Sequence, residues 1–231
     1  MKFTFGIVTS PGSCNFLQQI TDSICNEQIP DFEIIIVGGQ VLYDTSIMRV
    51  FPFDETKKQM WITRKKNIIT ENARYENIVY LHDYVSLVEG WYKGFLKFGN
   101  EFDICMTQMQ NADGTRFRDW NIWRDHGDPR ENDLDRLLPY DVTNLSKIMY
   151  ISGAYWVAKR DVMKKFPLDE SLSWGEGEDV KWSKQVREHY QFSINPHSKV
   201  QLLKQKDKIF GDISPSKLKE IQDETLRLEK L

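Results

Sequence analysis

A dense group of acidic residues lies in the stretch LSWGEGEDVKWS, residues 172–183. Three carboxylates, Glu176, Glu178 and Asp179, follow Trp174 within five residues, and two glycines separate them. Like charges at this spacing repel one another and glycine adds conformational freedom, so the crowding needs a reason. The stretch is either a site that presents a carboxylate to a ligand in open space, or a loop whose acids complement the positive end of the following helix.

Polar or glycine-containing segments also follow three apolar runs, at 9–12 (TSPG), 38–40 (GGQ) and 82–84 (HDY). In open parallel sheets, ligands bind beyond the carboxyl ends of the strands. Gly38 would allow a ligand close to the backbone, and Asp83 offers a hard oxygen ligand. Taken alone, the glycines fit a tight turn and the aspartate fits a strand-end cap. Their convergence at one sheet edge favours a binding site, although neither GxGxxG nor GxxxxGK[ST] occurs.

The elements that position these segments alternate along the first ninety residues. Apolar runs and helical spacing predict strands over 3–9, 32–39 and 77–84, with helices over about 15–27 and 65–75 between them. This alternation is typical of an α/β fold with a Rossmann-like, mostly parallel central sheet and helices on both faces. In the less regular second half we predict a strand over 103–109, a strand or a strand with a turn over 147–159, a helix over 179–190 and a charged helix over 214–231.

The composition of the 231-residue chain is that of a soluble globular protein, with 40% hydrophobic and 28% charged residues. Its net charge of −3 creates no field that would attract nucleic acid or anionic lipid. No apolar run approaches the roughly 20 residues that cross a bilayer, and the N-terminus has no signal-peptide layout. The 3 cysteines are unclustered, which suits reduced thiols. We therefore expect a cytoplasmic protein with no membrane span and no nucleic-acid partner.

Two segments carry a resemblance to known enzymes. The segment TRKKNIITENARYENIVYLHDYVSL resembles the middle of family-two glycosyltransferases of the GT-A fold. In that family an A-R-N-type segment opens a helix, an alanine follows six residues after the asparagine, and a strand ends in an L-D-D-D-type metal motif. Here KKN (65–67), Ala73 and LHDY (81–84) stand in those three places.

The segment ISGAYWVAKRDVMKKFPLDESLSWGEGEDVKWS is similar to the G-G-A … F-D-E-x-x-x-x-G-E-D segment of the same family. It is closer still to the W-G-x-G-G-E-D loop of β-1,4-galactosyltransferase-like enzymes. The match runs from Phe3 to about Tyr190. It implies one GT-A domain over 1–231, with a nucleotide-sugar-binding half over 1–110, an acceptor-binding half over 111–212 and a charged helix over 213–231.

The resemblance implies a metal-dependent, inverting glycosyltransferase of hexosyltransferase type. It would move a sugar from a nucleotide-sugar, expected to be a UDP-sugar, to a glycan or another hydroxyl acceptor. Asp179 matches the aspartate of the E-D pair and is the implied general base, while Glu178 would orient the acceptor hydroxyls. Asp83 and the diphosphate oxygens would hold Mn²⁺ or Mg²⁺, with His197 or His189 as a third ligand.

The remaining implied contacts divide between donor and acceptor. Trp174 would offer a stacking face for a sugar ring, and the glycines beside it would leave room for that sugar and let the loop move. The donor-binding residues are Thr9, Gly38, Lys66, Asn67, His82 and Asp83, and the acceptor-binding residues are Gly153, Trp174, Gly175 and Gly177.

Several features depart from the family pattern. Gly38 stands where many relatives have an aspartate that reads uracil, and a literal D-x-D, Asp133 to Asp135, lies in a polar loop with no strand before it. Lys65 and Lys66 could equally form a solvated helix face. Two other functions stay open: a nucleotidyltransferase on a similar sheet, and a catalytically silent module that binds a nucleotide or sugar.

The long polar segment 111–146 separates the two matching regions. Long irregular segments inside compact domains are usually functional or mobile. We therefore predict that this segment is mobile without substrate and helps to build the acceptor pocket, with Trp120 and Trp123 as candidate sugar platforms.

Overall fold

A computed structural model describes residues 1–12, 14–39, 45–122, 136–207 and 210–228. Within this part of the chain, no helix is both long and apolar enough to cross a membrane. The α-helices are α1 (Leu17–Asn26), α2 (Ile62–Asn72), α3 (Trp91–Phe98), α4 (Arg160–Lys165), α5 (Glu178–Val186) and α6 (Pro215–Leu228). The strands are β1 (Lys2–Val8), β2 (Asp31–Val37), β3 (Met48–Phe51), β4 (Asn77–His82), β5 (Val85–Leu87), β6 (Ile104–Gln110), β7 (Asn121–Ile122), β8 (Arg136–Leu137), β9 (Met149–Tyr150), β10 (Tyr155–Lys159), β11 (Phe192–Leu202) and β12 (Gly211–Asp212).

An eight-stranded sheet with the order β3-β2-β1-β4-β10-β6-β11-β5 forms the centre of the fold. The first four strands are parallel, as predicted. The other half is mixed, because β10 is antiparallel to both of its neighbours and β5 is antiparallel to β11. β6 has the same direction as β4, because both are antiparallel to β10. Since β11 is parallel to β6, the carboxyl ends of β1, β4 and β11 lie at the same edge. A small second sheet has the order β12-β8-β7-β9.

Alternate side chains of β1 face helices on opposite sides of the sheet. The rings of Phe3 and Phe5 lie 5.2 and 5.5 Å from that of Trp91 on α3. On the other side, a Cβ at Gly6 would lie only 2.4 Å from Ile69 of α2. Because side chains alternate along a strand, these contacts place α3 and α2 on opposite faces. The predicted layering of the α/β fold is confirmed.

The second half of the chain differs from the prediction in several elements. The segment 147–159 forms two short strands, and the helix predicted over 179–190 ends at Val186. Trp120 is fully buried and its indole N–H donates to the Val142 carbonyl, so the prediction that it is a sugar platform is wrong. Trp123, Asp133 and Asp135 lie outside the described residues.

Gly38 allows the ends of β1 and β2 to approach each other closely. Its φ is +96°, and a Cβ there would lie 2.2 Å from the Thr9 carbonyl oxygen. Gly38→Ala should therefore lower the free energy of unfolding by about 3 kcal/mol, because backbone strain and steric overlap add. Urea unfolding of the purified variant measures this loss.

Gly12→Ala is the matched control for this substitution. Gly12 has a similar φ of +82°, but no described residue has an atom within 4 Å of a Cβ built there. We expect a loss of about 1 kcal/mol from backbone strain alone. Equal losses in the two variants would show that the close approach of Gly38 to Thr9 does not matter for stability.

Candidate active site

A cleft with two adjoining lobes lies beyond the carboxyl ends of β1 and β4. Each lobe has a cavity volume of about 240 Å³. The first lobe is lined by residues that include Thr9, Lys65 and Asp83, and the second by residues that include Gly153, Glu178 and Asp179. Both lobes share His82, Tyr84, Trp174 and Lys206. The structure thus brings the strand-end residues and the acidic loop to one place.

The register of the sheet places Thr9 beside Asp83. Val8 of β1 pairs with His82 of β4, so the residues that follow them are neighbours. The Thr9 hydroxyl donates to Asp83 Oδ2 at 2.8 Å, and Lys65 Nζ donates to the Thr9 carbonyl at 2.6 Å. Burial raises the pKa of Asp83 above its ordinary value, although the Thr9 hydrogen bond and nearby lysines oppose this.

His82 borders both lobes from the end of β4. It is 6% exposed, and its Nε2 has no hydrogen-bond partner among the described residues. Burial and then the positive charges of Lys66, Lys206 and Lys204 hold its pKa well below the usual value, against a backbone hydrogen bond with Gly153. The imidazole is therefore neutral at pH 7, and its Nε2 is a buried polar atom at the cleft.

Backbone amides orient the Asp179 carboxylate in the second lobe. The Gly153 N–H donates to Oδ2 at 2.8 Å, and the Val180 N–H donates to Oδ1 at 2.9 Å. A Cβ at Gly153 would lie 3.0 Å from Oδ2, so a larger residue at 153 would crowd the carboxylate. Each oxygen keeps a further lone pair for a ligand.

A buried lysine lies behind this acidic pair. Lys66 is 0% exposed, and its Nζ donates to the Gly153 carbonyl at 2.8 Å and lies 4.5 Å from the centre of the Trp156 ring. Burial lowers the pKa of Lys66 to about 8, opposed by Glu178 and Asp179. Burial raises the pKa of Glu178, as does Asp179, while Lys66 lowers it. Lys66 is thus a buried counter-charge to the two acids.

This burial corrects three predictions about α2. Direct contact of Lys66 with the donor is wrong, and so is the alternative of a solvated helix face, because Lys65 and Lys66 are both buried. The Asn67 amide donates to the Leu168 carbonyl at 2.9 Å, and its oxygen accepts the Leu168 N–H at 3.0 Å. Asn67 therefore binds the segment before the acidic loop rather than a donor.

Gly38 is also not among the residues that line the cleft. Its observed contact is the close approach to Thr9, with Lys65 Nζ 3.2 Å from the position of a Cβ. The prediction that Gly38 touches the donor is therefore replaced by a supporting role beneath Thr9 and Lys65.

The acidic loop presents Trp174 at the border of the two lobes. Its side chain is 47% exposed, and its backbone N–H donates to the Met60 carbonyl at 3.0 Å. Gly175 and Gly177 flank the turn with φ of +84° and +74° but do not line either lobe. The stacking of a sugar on Trp174 stays a prediction that this position favours.

The two histidines predicted as metal ligands lie elsewhere. His197 is exposed at an irregular point of β11, where its carbonyl packs against Gly94 of α3. Leu203, six residues later, hydrogen-bonds to Tyr84, so His197 is roughly 15–20 Å from the site by strand rise. His189 stacks on Phe166 with ring centres 5.0 Å apart. The predicted ligand set of Asp83 with either histidine is therefore wrong.

Two lysines that the sequence analysis missed, Lys204 and Lys206, line the first lobe together with Asp83. The Leu203 N–H donates to the Tyr84 carbonyl at 2.8 Å and aligns the end of β11 with the cleft. Lys204 Nζ and Lys206 Nζ lie 4.0 and 4.9 Å from the centre of the Tyr84 ring. Arg118, also missed, lines the second lobe. The signal was available, because the lysines follow a strand end as Asp83 does, but β11 itself was not predicted.

Comparison with solved structures identifies the fold. GalNAc-T7 with UDP, GalNAc and Mn²⁺ superposes with a TM-score of 0.62 at 13% identity, covering 93% of this chain and 46% of that chain. S. aureus TarS 1-349 in complex with UDP-GlcNAc gives 0.58 at 13% identity, covering 96% and 64%. Another structure of S. aureus TarS gives a TM-score of 0.61 at 13% identity, covering 96% of this chain and 38% of that chain. The chain has the GT-A glycosyltransferase fold and spans less than two thirds of each of these chains.

No protein-family model matches the sequence, and no curated protein does.

Proposed function

We propose that this protein is a glycosyltransferase that moves a hexose from a UDP-sugar to a hydroxyl acceptor with inversion. One observation carries the proposal: the lobe at the strand ends, with Asp83, adjoins a lobe that holds Glu178 and Asp179. Transfer between two substrates needs two such neighbouring spaces. The GT-A fold, shared with structures that contain UDP or UDP-GlcNAc, supports the assignment of the first lobe to the donor.

In this proposal the second lobe carries the chemical step. Asp179 takes the proton of the acceptor hydroxyl as the hydroxyl oxygen bonds to the anomeric carbon. The bond from that carbon to the diphosphate oxygen breaks, and UDP leaves with the electron pair. The amides of Gly153 and Val180 hold the carboxylate in a fixed orientation, which a general base requires. Glu178 accepts hydrogen bonds from the acceptor, and Trp174 stacks on a sugar ring.

The residues around Asp83 do not form the donor set expected for a protein-held Mn²⁺ or Mg²⁺. Within the described ranges, no group of three or more His, Cys, Asp or Glu side chains is placed to hold a metal ion. Asp83 Oδ2 already accepts the Thr9 hydroxyl, and its charged neighbours are the ammonium groups of Lys204 and Lys65. A divalent ion would meet these cations rather than further carboxylates. No step of the proposed reaction is therefore assigned to a metal.

A ligand screen by thermal unfolding tests the proposal. UDP at about 100 times its dissociation constant should stabilise the folded state by about 2.7 kcal/mol. For a chain of this size, that corresponds to a rise in Tm of roughly 5–10 °C. GDP and CDP should have smaller effects at the same concentration. UDP-GlcNAc and UDP-GalNAc are then incubated with a panel of sugar acceptors, and UDP release is measured.

The outcomes separate the candidate functions. UDP release that depends on the acceptor supports a transferase. Stabilisation by UDP without release from any donor indicates a silent binding module. The absence of stabilisation by every nucleoside diphosphate, with and without Mn²⁺, contradicts the proposal.

A further inference from the structure

Two positively charged side chains of the cleft, Lys204 and Lys206, are not engaged in ion pairs with described residues. Lys204 is exposed and Lys206 is half-buried, and neither makes an ion pair with a described residue. Both ammonium groups lie within 5 Å of the centre of one ring, that of Tyr84, so they can reach the same ligand. By contrast, Lys65 in the same lobe is paired with Glu55 at 2.5 Å. Among the described residues, the two later lysines therefore have carboxylate neighbours only beyond ion-pair distance, Asp83 for Lys204 and Asp207 for Lys206.

Arg118 adds a third positive group at the second lobe. Its guanidinium lies 5.3 and 5.1 Å from the ring centres of Phe117 and Phe210, and its buried Nε has no partner in the described part of the chain. Burial and then the charges of Lys204 and Arg118 lower the pKa of Lys206, while the Asp207 carboxylate raises it, so Lys206 feels repulsion from the other two cations. An anion bound among them would relieve that repulsion.

The position of the lysines matches the requirement of the donor. A nucleotide-sugar donor in the first lobe, with its sugar directed toward the second lobe where transfer occurs, places its diphosphate near the junction of the two lobes. Lys206 borders both lobes, and Lys204 borders the first beside Asp83. Neutral His82, whose Nε2 has no hydrogen-bond partner in the described part of the chain, lies at the same junction. The buried His82 and the two ammonium groups thus line the space that a diphosphate would fill.

We propose that Lys204 and Lys206, assisted by Arg118, bind the donor diphosphate and supply the charge compensation that a divalent cation would otherwise provide. Donor binding and UDP departure then do not require a metal ion. This inference rests on the proposed function, since it names how that same site holds its nucleotide. In this proposal, the two lysines after the end of β11 do what the metal ion expected from the sequence would do.

Calorimetric titration of the full chain with UDP tests the inference. Wild-type protein in EDTA should bind UDP with an affinity within about threefold of that in Mn²⁺. In EDTA, Lys204→Met and Lys206→Met should each weaken UDP binding about tenfold, and the double variant about a hundredfold, because each removes a charge-assisted contact. Binding of uridine, which lacks phosphate, should not change. Lys199→Met, on the same strand but outside the cleft, is the matched control for charge and length.

The results distinguish this inference from the proposed function. UDP binding that disappears in EDTA and returns with Mn²⁺ overturns the lysine assignment and leaves the transferase proposal intact. Wild-type UDP affinity in the double variant also overturns it, as does an equal loss of UDP and uridine binding. If UDP binds under neither condition, the proposed function itself fails and the inference fails with it.

Discussion

Asp179→Asn should leave donor binding and the fold intact while the rate of sugar transfer falls about 10²–10⁴-fold, the usual contribution of a general base. Asparagine keeps the shape of the side chain, and its oxygen can still accept the Gly153 N–H that holds Asp179 Oδ2 at 2.8 Å. It cannot accept the proton of the acceptor hydroxyl. Steady-state transfer rates, with UDP affinity measured on the same variant, check the result.

Glu178→Gln is the matched comparison, because it removes a neighbouring charge from the same helix start. A larger loss of transfer in this variant would identify Glu178 as the base. The alternative view, that both acids only complement the positive end of α5, predicts near-normal transfer and a stability loss of about 0.5 kcal/mol for each. A stable and fully active Asp179→Asn enzyme would refute the assignment.

Lys66 should give the protein a pH-dependent stability of about 3 kcal/mol. Its folded-state pKa of about 8 lies below the ordinary value of 10.5, and each unit corresponds to about 1.4 kcal/mol. Below pH 8 the lysine is protonated in both states, so its contribution does not change. Between pH 8 and 10.5 only the unfolded state holds the proton. The stability should therefore rise with pH across this window.

Urea unfolding at pH 7, 8, 9 and 10 of the wild type and of Lys66→Met measures this contribution. Other groups also titrate in this window, so the wild-type value minus the variant value is the relevant quantity. Between pH 7 and pH 10 this difference should rise by about 2.5 kcal/mol, most of the full effect. Lys57→Met is the control, because Lys57 is exposed and lies five residues before the start of α2, and it should give a flat difference. If the difference between wild type and Lys66→Met does not change with pH, burial of the charged lysine does not lower the free energy of unfolding.

The parallel half of the sheet and its strand-end residues were predictable from the sequence. Continuous apolar runs identify β2 and β4, and a parallel pairing forces their polar ends to one edge. Thr9, His82 and Asp83 were placed correctly at the cleft by this rule alone. The acidic pair depended on the resemblance, because periodicity does not show that residues 178 and 179 reach the strand ends.

The remaining site residues depend on packing that local patterns do not show. β11 contains Pro196 at an irregular register, so it lacks the signature of a strand and hid the lysines that follow it. Lys66 and Asn67 lie in a polar helix, where a sequence pattern does not reveal burial against Trp156 or Leu168. Contacts between residues far apart in the sequence determine both the pairing of β11 and the burial of Lys66 and Asn67.

The place of β11 in the sheet also determines when the sheet and the cleft can be completed during synthesis of the chain. This strand lies between β6 and β5, although both precede it by some eighty residues or more in the chain. The parallel strands β1, β2 and β4 can pair as soon as residue 82 has left the ribosome, whereas β5 has no strand partner until residue 202 has followed. The nascent chain therefore holds an incomplete first lobe of the cleft from the pairing of β4 until β11 has formed. Lys204 and Lys206 enter that lobe only after β11, because they follow this strand in the chain.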